Sequence, residues 1–448
     1  MPTSNIHYRL QAILLLITIL IHVPLWVAYQ PIISDDTGTY LEMARQLAHW
    51  DFSGYTGKRP PGYPLFLLVL GENPRLVWIA QSILGILTVM LVYALVWERT
   101  NRAVLAFGAG LVTACSLNLL LFESAMLTET VATFLLTVLF WLLSRVDRPS
   151  TGSPMLLCLA IGVVLGLVTL TKPFLQYALV LVPLFAAYMA GDRLRHWKAT
   201  TKAAVLTAIP AAILVIGWAS FNKQHIDYFG ISSLAGYNLT QHSGAVMEDA
   251  PDEFALIRNI YLKYRAPRVE RTGSHTMTIW EAYPEMMRET GQSFPELSKT
   301  LARLSIGLLI AHPQSYGNTA AQAWLGFWKA PLSPLFLEAP NASEQLLASL
   351  KNIWFVERYL LVAAKAGFLL ISLSVAWKLA RSPRQVDSIQ LVLVISVLAG
   401  SVLQALTEYG ENARYSIAFQ PLIFAALFFG LHFSDARSSQ HQPALKRL

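Results

Sequence analysis

The chain has 448 residues, 54% of them hydrophobic and 14% charged, with a formal net charge of +7 and a mean hydropathy of +0.46. Soluble globular proteins carry roughly 25% charged residues, so the composition excludes a soluble enzyme and describes an all-α protein that crosses the membrane many times. The basic residues are scattered in short loops between apolar runs, which excludes a nucleic-acid-binding face. Cys115 and Cys158 lie inside apolar stretches, which excludes a disulfide framework and a cysteine metal site.

A bilayer-crossing helix needs ~20 mostly apolar residues. Such runs occur at 9–29, 76–97, 103–122, 127–144, 155–171, 174–190, 203–220, 354–379, 386–406 and 414–433, which predicts about ten spans. The first run exceeds the ~7–15 residues of a signal-peptide core and is followed by no small-x-small cleavage site, so it reads as a retained helix. A loop follows over 30–75. In it Tyr40, Met43, Ala44 and Leu47 recur at helical spacing, which predicts an amphipathic helix on the membrane surface, and Thr39 and Glu42 have the spacing of a capping box. Leu65–Leu70 is too short to cross and reads as a buried or re-entrant start to the second span. A second long insert, 221–353, shows helical patterns at Glu253–Arg265 and Phe294–Ile310 and reads as a helical cap. The expected organisation is therefore an N-terminal transmembrane core (1–220) with a catalytic first outer loop (30–75), a cap (221–353) and C-terminal transmembrane helices (354–448).

Lysine and arginine set the orientation. Arg99, Arg102, Arg145, Arg148, Arg193, Arg195, Lys198, Lys202, Lys378, Arg381 and Arg384 fall on one side, with Arg437, Lys446 and Arg447 in the tail. The short loops on the other side carry almost nothing but Lys172 and Arg414. Both termini are then cytoplasmic, and the 30–75 loop and the 221–353 insert face outward.

The chemically suggestive residues gather at that outer face. Asp35-Asp36 offers a general base beside the membrane, able to take a proton from a poor hydroxyl nucleophile; the bland alternative is that one Asp only caps the surface helix. In Lys58-Arg59-Pro60-Pro61-Gly62-Tyr63-Pro64, prolines stiffen the backbone, Gly62 permits close approach and Pro64 suits a helix start. Two cations are thus presented at a helix mouth, where Arg can grip a phosphate bidentately; the alternative is a solvated basic turn. Glu129 opens the fourth span with Glu123 nearby, and an ionisable group in a span points to function, unless it merely pairs with Lys172 or Arg414. Lys172 adds a cation to the same mouth or is only a loop residue. In Glu411-Asn412-Ala413-Arg414-Tyr415, Arg414 could hold a phosphate with Glu411 orienting it, or the two could form an anchoring ion pair. No histidine spacing for metal and no Walker, dinucleotide or nucleophile-elbow motif is present.

In this order the pieces resemble the GT-C glycosyltransferases, in the branch of the protein O-mannosyltransferases and the bacterial lipid A aminoarabinose transferase. Ser34–Ala44 is similar to that family's first outer loop, with Asp36 in the register of its catalytic Asp and Tyr40 as the paired Tyr. Thr37 stands where several members have Glu, which keeps Asp35 as an alternative base. Arg59–Pro64, with Tyr63, resembles the basic proline-rich motif that follows. Leu127-Thr128-Glu129 resembles a Ser/Thr-Glu helix start, Ala311–Tyr316 with His312 a His-Pro motif, and Glu411–Tyr415 a late Glu-x-x-Arg-Tyr.

The resemblance implies an inverting transferase whose donor is a sugar on a polyprenyl phosphate. Its phosphate would meet Lys58, Arg59, Arg414 and Lys172, and Asp36 would be the base. Tyr40, Tyr63, Glu129, His312, Glu411 and Tyr415 would support the site. The acceptor, a glycan, lipid or protein, would enter under the cap on the periplasmic face of a bacterial inner membrane. Some members hold a divalent cation with acidic motifs, to which Asp35 and Asp36 could contribute. A lipid-linked-sugar flippase and an O-antigen polymerase or ligase are the alternatives; the clustering of motifs at one face and the lack of an internal repeat favour the enzyme.

Overall fold

The computed structural model describes residues 2–148, 153–339 and 342–440. The tail residues Lys446 and Arg447 lie outside them. The helices in chain order are α1 (Pro2–Ala28), α2 (Asp35–His49), α3 (Gly62–Val69), α4 (Pro74–Thr100), α5 (Ala103–Ala114), α6 (Leu117–Ser124), α7 (Glu129–Leu143), α8 (Pro154–Thr171), α9 (Ala178–Ala190), α10 (Trp197–Ile226), α11 (Ala235–Ser243), α12 (Ala255–Thr272), α13 (Thr278–Thr290), α14 (Phe294–Ala311), α15 (Pro313–Phe327), α16 (Glu344–Arg381), α17 (Ser388–Thr407), α18 (Asn412–Tyr415) and α19 (Gln420–Gln440). Among the described residues there is no strand beyond a single bridge between Ile32 and Ala125.

Among the described residues, eight segments are long and apolar enough to cross a membrane, nine if the bent pair α5–α6 is one span. All ten expected spans appear as helix, with two departures. The third is broken between Ala114 and Leu117 and bent by 50°. Polar side chains meet the groups freed there: the Leu117 N–H donates to Glu357 Oε1 (2.8 Å), and Asn118 and Gln420 exchange amide hydrogen bonds (2.7 and 3.0 Å). In an apolar surround such groups must be satisfied internally. The fourth, α7, has 15 residues, about 22 Å of helix, which is short of the ~30 Å hydrocarbon core.

The bundle buries Val92, Leu139, Phe140, Leu165, Val397 and Phe419 in one apolar core. Leu16, Leu20, Ile213, Leu370 and Leu373 point outward, as helices facing lipid require. The cap, α11 to α14, has its own core built on Tyr237, Met247, Tyr261, Ile279, Met286 and Leu301. Helices α12 and α14 stand where helical patterns were expected at Glu253–Arg265 and Phe294–Ile310.

Two local expectations are corrected. The surface helix starts at Asp35, and its capping box is formed by Ser34 and Thr37, in place of Thr39 and Glu42. Thr37 wins because its hydroxyl accepts from the Ser34 N–H at 3.0 Å, which places both aspartates inside the first turn. Leu65–Leu70 is not the start of the second span: it lies mostly in a separate helix, α3. Asn73 ends the link by capping α4, its side chain accepting from the N–H groups of Arg75 (2.9 Å) and Leu76 (3.3 Å).

Charge is concentrated at the two ends of α7. Beyond its C-terminus Arg99 pairs with Asp147 (2.8 Å) and Asp387 (2.7 Å), and Arg145 pairs with Glu98 (2.6 Å). At its N-terminus stands Glu129, in a second cluster.

Candidate functional site

The 30–75 loop is pinned to the link between α6 and α7 before it presents anything. Ile32 N–H donates to Ser124 O (2.8 Å), and Met126 N–H returns a bond to Ile32 O (3.1 Å). The buried Thr37 hydroxyl adds a bond to Met126 O (3.2 Å). The other side of the same link is held by Gln81, whose amide donates to Glu123 O and Ala125 O, each at 2.7 Å. Tyr63 completes the brace by donating to Gln81 Oε1 (3.0 Å). Helix α3, which carries Tyr63, approaches α8 closely at Gly62: a Cβ there would lie 2.7 Å from both the Leu170 carbonyl oxygen and the Thr171 nitrogen.

These anchors bring Asp36 between two guanidinium groups. Oδ1 accepts from Arg59 Nη2 at 2.5 Å, and Oδ2 accepts from Arg414 Nη1 at 3.0 Å. Arg59 is itself held by Thr39 Oγ1 (2.8 Å) and Tyr40 OH (3.1 Å), with its guanidinium over the Tyr40 ring. Tyr40 meets Tyr63 edge to face, with centroids 5.1 Å apart. Arg414 also pairs with Glu411 (3.0 Å) and with Glu129. Lys172 closes the far side, its ammonium 2.8 Å from Glu129 Oε1 and 3.3 Å from Thr128 Oγ1. The cluster is graded in depth: the Glu129 side chain is 0% exposed and Lys172 8%, whereas Asp36 is 34% exposed. Asp36 therefore faces outward from a buried ion-pair network.

Three carboxylates and three cations neutralise one another here. Burial alone would raise the Asp36 carboxyl, but Arg59 and Arg414 outweigh it and hold the group below the usual carboxylate range. Tyr40 is shifted up, mainly by burial. Glu408, in the turn before α18, is pushed up to about 7, first by burial and then by Glu411, against the hydrogen bond it accepts from Tyr415.

Of the residues singled out in the sequence, Asp36, Arg59, Tyr40, Tyr63, Glu129, Lys172, Arg414 and Glu411 come together, with Tyr415 beside them against Phe174 (centroids 4.8 Å apart). Asp35 does not join: it is exposed and has no ion-pair partner among the described residues. His312 pairs instead with Asp249 at 3.3 Å. Lys58 diverges from Arg59 towards the cap, with its ammonium 4.3 Å from the Phe294 ring centroid and 3.4 Å from the Tyr283 hydroxyl. Glu123 leaves the cluster for a buried pair with His22 (2.8 Å). Sequence reasoning missed Thr39 as the Arg59 acceptor, because its spacing suggested a cap. It also passed over His22, although an ionisable group inside a span was signal enough.

A divalent ion wants several free carboxylate oxygens. Both Asp36 oxygens are engaged by guanidinium groups, Asp35 faces away, and among the described residues no three His, Cys, Asp or Glu converge. The residues present do not fit such an ion.

Residues 59–243 match the family described as dolichyl-phosphate-mannose-protein mannosyltransferase. The matched stretch holds Arg59, Tyr63, Glu129 and Lys172; Asp36, Tyr40 and Arg414 lie outside it. The match bears out the resemblance to the GT-C glycosyltransferases in the protein-mannosyltransferase branch. Among solved structures, the chain is similar to the oligosaccharyltransferase of Archaeoglobus fulgidus in its apo form, at 13% identity and a TM-score of 0.47 over 99% of this chain and 52% of that one. It is also similar to the same enzyme in complex with zinc and sulfate (15%, TM-score 0.48, 95% and 50%). A third similarity is to ArnT from Cupriavidus metallidurans bound to undecaprenyl phosphate (14%, TM-score 0.38, 96% and 78%). The chain spans about half the length of the oligosaccharyltransferase it matches. No curated protein matches it.

Proposed function

We propose that this chain, a membrane glycosyltransferase by its family match, moves a sugar from a polyprenyl-phosphate donor to an acceptor oxygen on the periplasmic face of a bacterial inner membrane. The observation that carries the reading is the meeting of Arg59 and Arg414 on the two oxygens of Asp36, at the outward end of the bundle. A base and two phosphate-matching cations at one point on the membrane surface are what lipid-phosphate sugar transfer requires.

In the resting arrangement the cations are occupied by Asp36. An incoming donor phosphate competes for the same guanidinium forks, which suit phosphate as well as carboxylate. As Arg59 and Arg414 turn to the phosphate, Asp36 is released and its affinity for a proton rises. Glu129 and Lys172 hold Arg414 from below, so the exchange needs only a shift of side chains at the outer rim. Thr39 and Tyr40 do the same for Arg59.

The acceptor oxygen then attacks the anomeric carbon from the face opposite the phosphate. Its proton passes to Asp36 as the new C–O bond forms. The bond from the anomeric carbon to the phosphate oxygen breaks, and that oxygen keeps the electron pair. Arg59 and Arg414 stabilise the charge that develops there. The sugar leaves inverted, with no covalent sugar–protein intermediate. If the acceptor is an anionic oxygen, Asp36 orients it without taking a proton. The cap over 221–353 bounds the entry route, and the N- and C-terminal helices supply the two sides of the site.

The test is donor consumption in membranes, with lipid-linked sugar quantified by mass spectrometry for wild type and Asp36→Asn at matched expression. Consumption by the wild type alone supports the reading. Equal consumption by both removes Asp36 from the chemistry. Movement of intact donor across the membrane without consumption replaces the transferase by a flippase.

A further inference from the structure

Beside the Asp36 cluster, and sharing Thr39 and Arg59 with it, a shallow polar groove runs between α2 and the loop before α3. One wall is a single face of α2, where Thr39, Glu42, Met43 and Gln46 recur at helical spacing. Asp36 lies one turn before Thr39 on the same helix, so the face forms a track leading from the base. The opposite wall is Tyr55, Thr56, Lys58 and Arg59.

That second wall is firmly built. Ser233 N–H donates to Gly57 O (2.9 Å), Ser233 Oγ to Thr56 O (2.7 Å) and Ser232 Oγ to Lys58 O (2.8 Å). The Tyr55 hydroxyl is tied to Asn222 Oδ1 at 2.6 Å. The Lys58 ammonium, half-buried, rests over the Phe294 and Tyr283 rings at 4.3 and 4.9 Å from their centroids. No carboxylate lies within ion-pair distance of it among the described residues, in contrast to Arg59, Lys172 and Arg414. Glu42 likewise has no cation partner among the described residues, and Gln46 offers both a donor and an acceptor.

We propose that this groove is the acceptor subsite and that it takes a hydroxyl-bearing sugar carrying an acidic group. The acid meets Lys58, while Glu42 and Gln46 hold neighbouring hydroxyls and turn the reacting oxygen towards Asp36. The inference rests on the transferase reading and assigns Lys58 to the acceptor instead of the donor phosphate. Aromatic faces under an ammonium keep it oriented without neutralising it, so the counter-charge comes from the ligand. The shared chemistry is an anionic sugar; phosphate and carboxylate are its two sources.

The test uses the full chain in lipid nanodiscs. Saturation-transfer NMR reads binding of glucose 1-phosphate, glucuronic acid and glucose, and native mass spectrometry reads binding of undecaprenyl phosphate. Tighter binding of an acidic sugar than of glucose is expected, with about tenfold loss in Lys58→Met, as for a charge-assisted hydrogen bond. Lys58→Arg should retain it, and undecaprenyl phosphate should bind both variants as it binds the wild type. Preference for the phosphate or for the uronic acid identifies the source. Loss of undecaprenyl phosphate binding in Lys58→Met, or glucose binding as tightly as both acids, overturns the proposal. A wild type that binds the acidic sugar through Lys58 but neither binds undecaprenyl phosphate nor consumes donor refutes the transferase reading and leaves an anionic-sugar site.

Discussion

Arg414 and Asp36 are 378 positions apart in the chain and 3.0 Å apart in space. The pair joins the 30–75 loop to the start of the 412–432 span, and through Arg414 to Glu129 at the N-terminus of α7. No single segment holds the site; it exists only where these three elements meet.

Asp36→Asn should therefore separate binding from chemistry. Transfer should fall by ~10²–10⁴, the usual contribution of a positioned base. Binding of undecaprenyl phosphate should hold or tighten, because Arg59 and Arg414 lose a competing carboxylate. Initial rates and a lipid-binding isotherm on the same preparation check this; a parallel loss of both would make Asp36 a structural partner only.

Arg414→Met should cost both activity and stability. It leaves the fully buried Glu129 carboxylate with Lys172 as its one remaining cation. Breaking a buried ion-pair network typically costs about 3–5 kcal/mol. A lowered unfolding temperature in a fluorescence-detected gel-filtration assay, accompanied by loss of donor binding, is the expected outcome. Arg414→Lys should recover more stability than activity, since an ammonium cannot serve Asp36 and Glu129 with a fork.

The pH dependence follows from the clamp on Asp36. In the free protein burial raises this carboxyl, but Arg59 and Arg414 hold it below the usual value. If, as proposed, a donor phosphate takes the arginines, the group should move up. The acid limb of kcat, which reports the donor complex, should therefore lie at higher pH than the acid limb of kcat/KM, which reports the free enzyme. Coincident limbs would refute the exchange. For stability, the lowered carboxyl contributes at pH above its unfolded value of ~3.9, and the contribution is lost as pH falls through the lower folded value.

Glu408 behaves in the opposite sense. Its pKa is pushed up to about 7, mainly by burial, so the folded state holds a proton that the unfolded state has released. Stability is full below the unfolded value near 4.3 and declines as pH rises through about 7. Glu408→Gln should melt higher than wild type at pH 8 and close to it at pH 5. An equal shift at both pH values would point to packing instead of the proton.

Gly62→Ala tests how the loop is seated. The new methyl would press on the backbone of Leu170 and Thr171 at 2.7 Å, and overpacking of this kind costs about 1–3 kcal/mol. The shift moves α3 off α8 and carries Arg59 with it. Donor binding should weaken although no charged group has been touched; unchanged binding would show that Arg59 is positioned independently of α3.

The apolar spans were legible because each is a local property: ~20 apolar residues announce a crossing helix whatever surrounds them. The break in the third span was not, since Ala114–Leu117 holds neither Pro nor Gly. The break is stabilised by Glu357 and Gln420, distant in sequence. The motif residues were legible as chemistry, but their partners were not. Lys58 and Arg59 are adjacent and read as one basic patch, yet they diverge because Arg59 finds Asp36 and Lys58 finds the rings of Tyr283 and Phe294. Asp35 and Asp36 could not be told apart by spacing. The first turn of α2 separates them, turning one to the cluster and the other to solvent.

The place of Arg414 in the chain also sets the order in which the cluster forms. Ribosomes deliver Asp36, Arg59, Glu129 and Lys172 to the membrane while more than half of the chain is still unmade, and those four alone lack the guanidinium that bridges Asp36 to Glu129. Until α18 is in place, Asp36 and Glu129 each lack one of the cations that neutralise them. The cluster therefore closes only when Arg414 reaches it, so the charge balance around Asp36 is set by a helix made long after the loop that carries it.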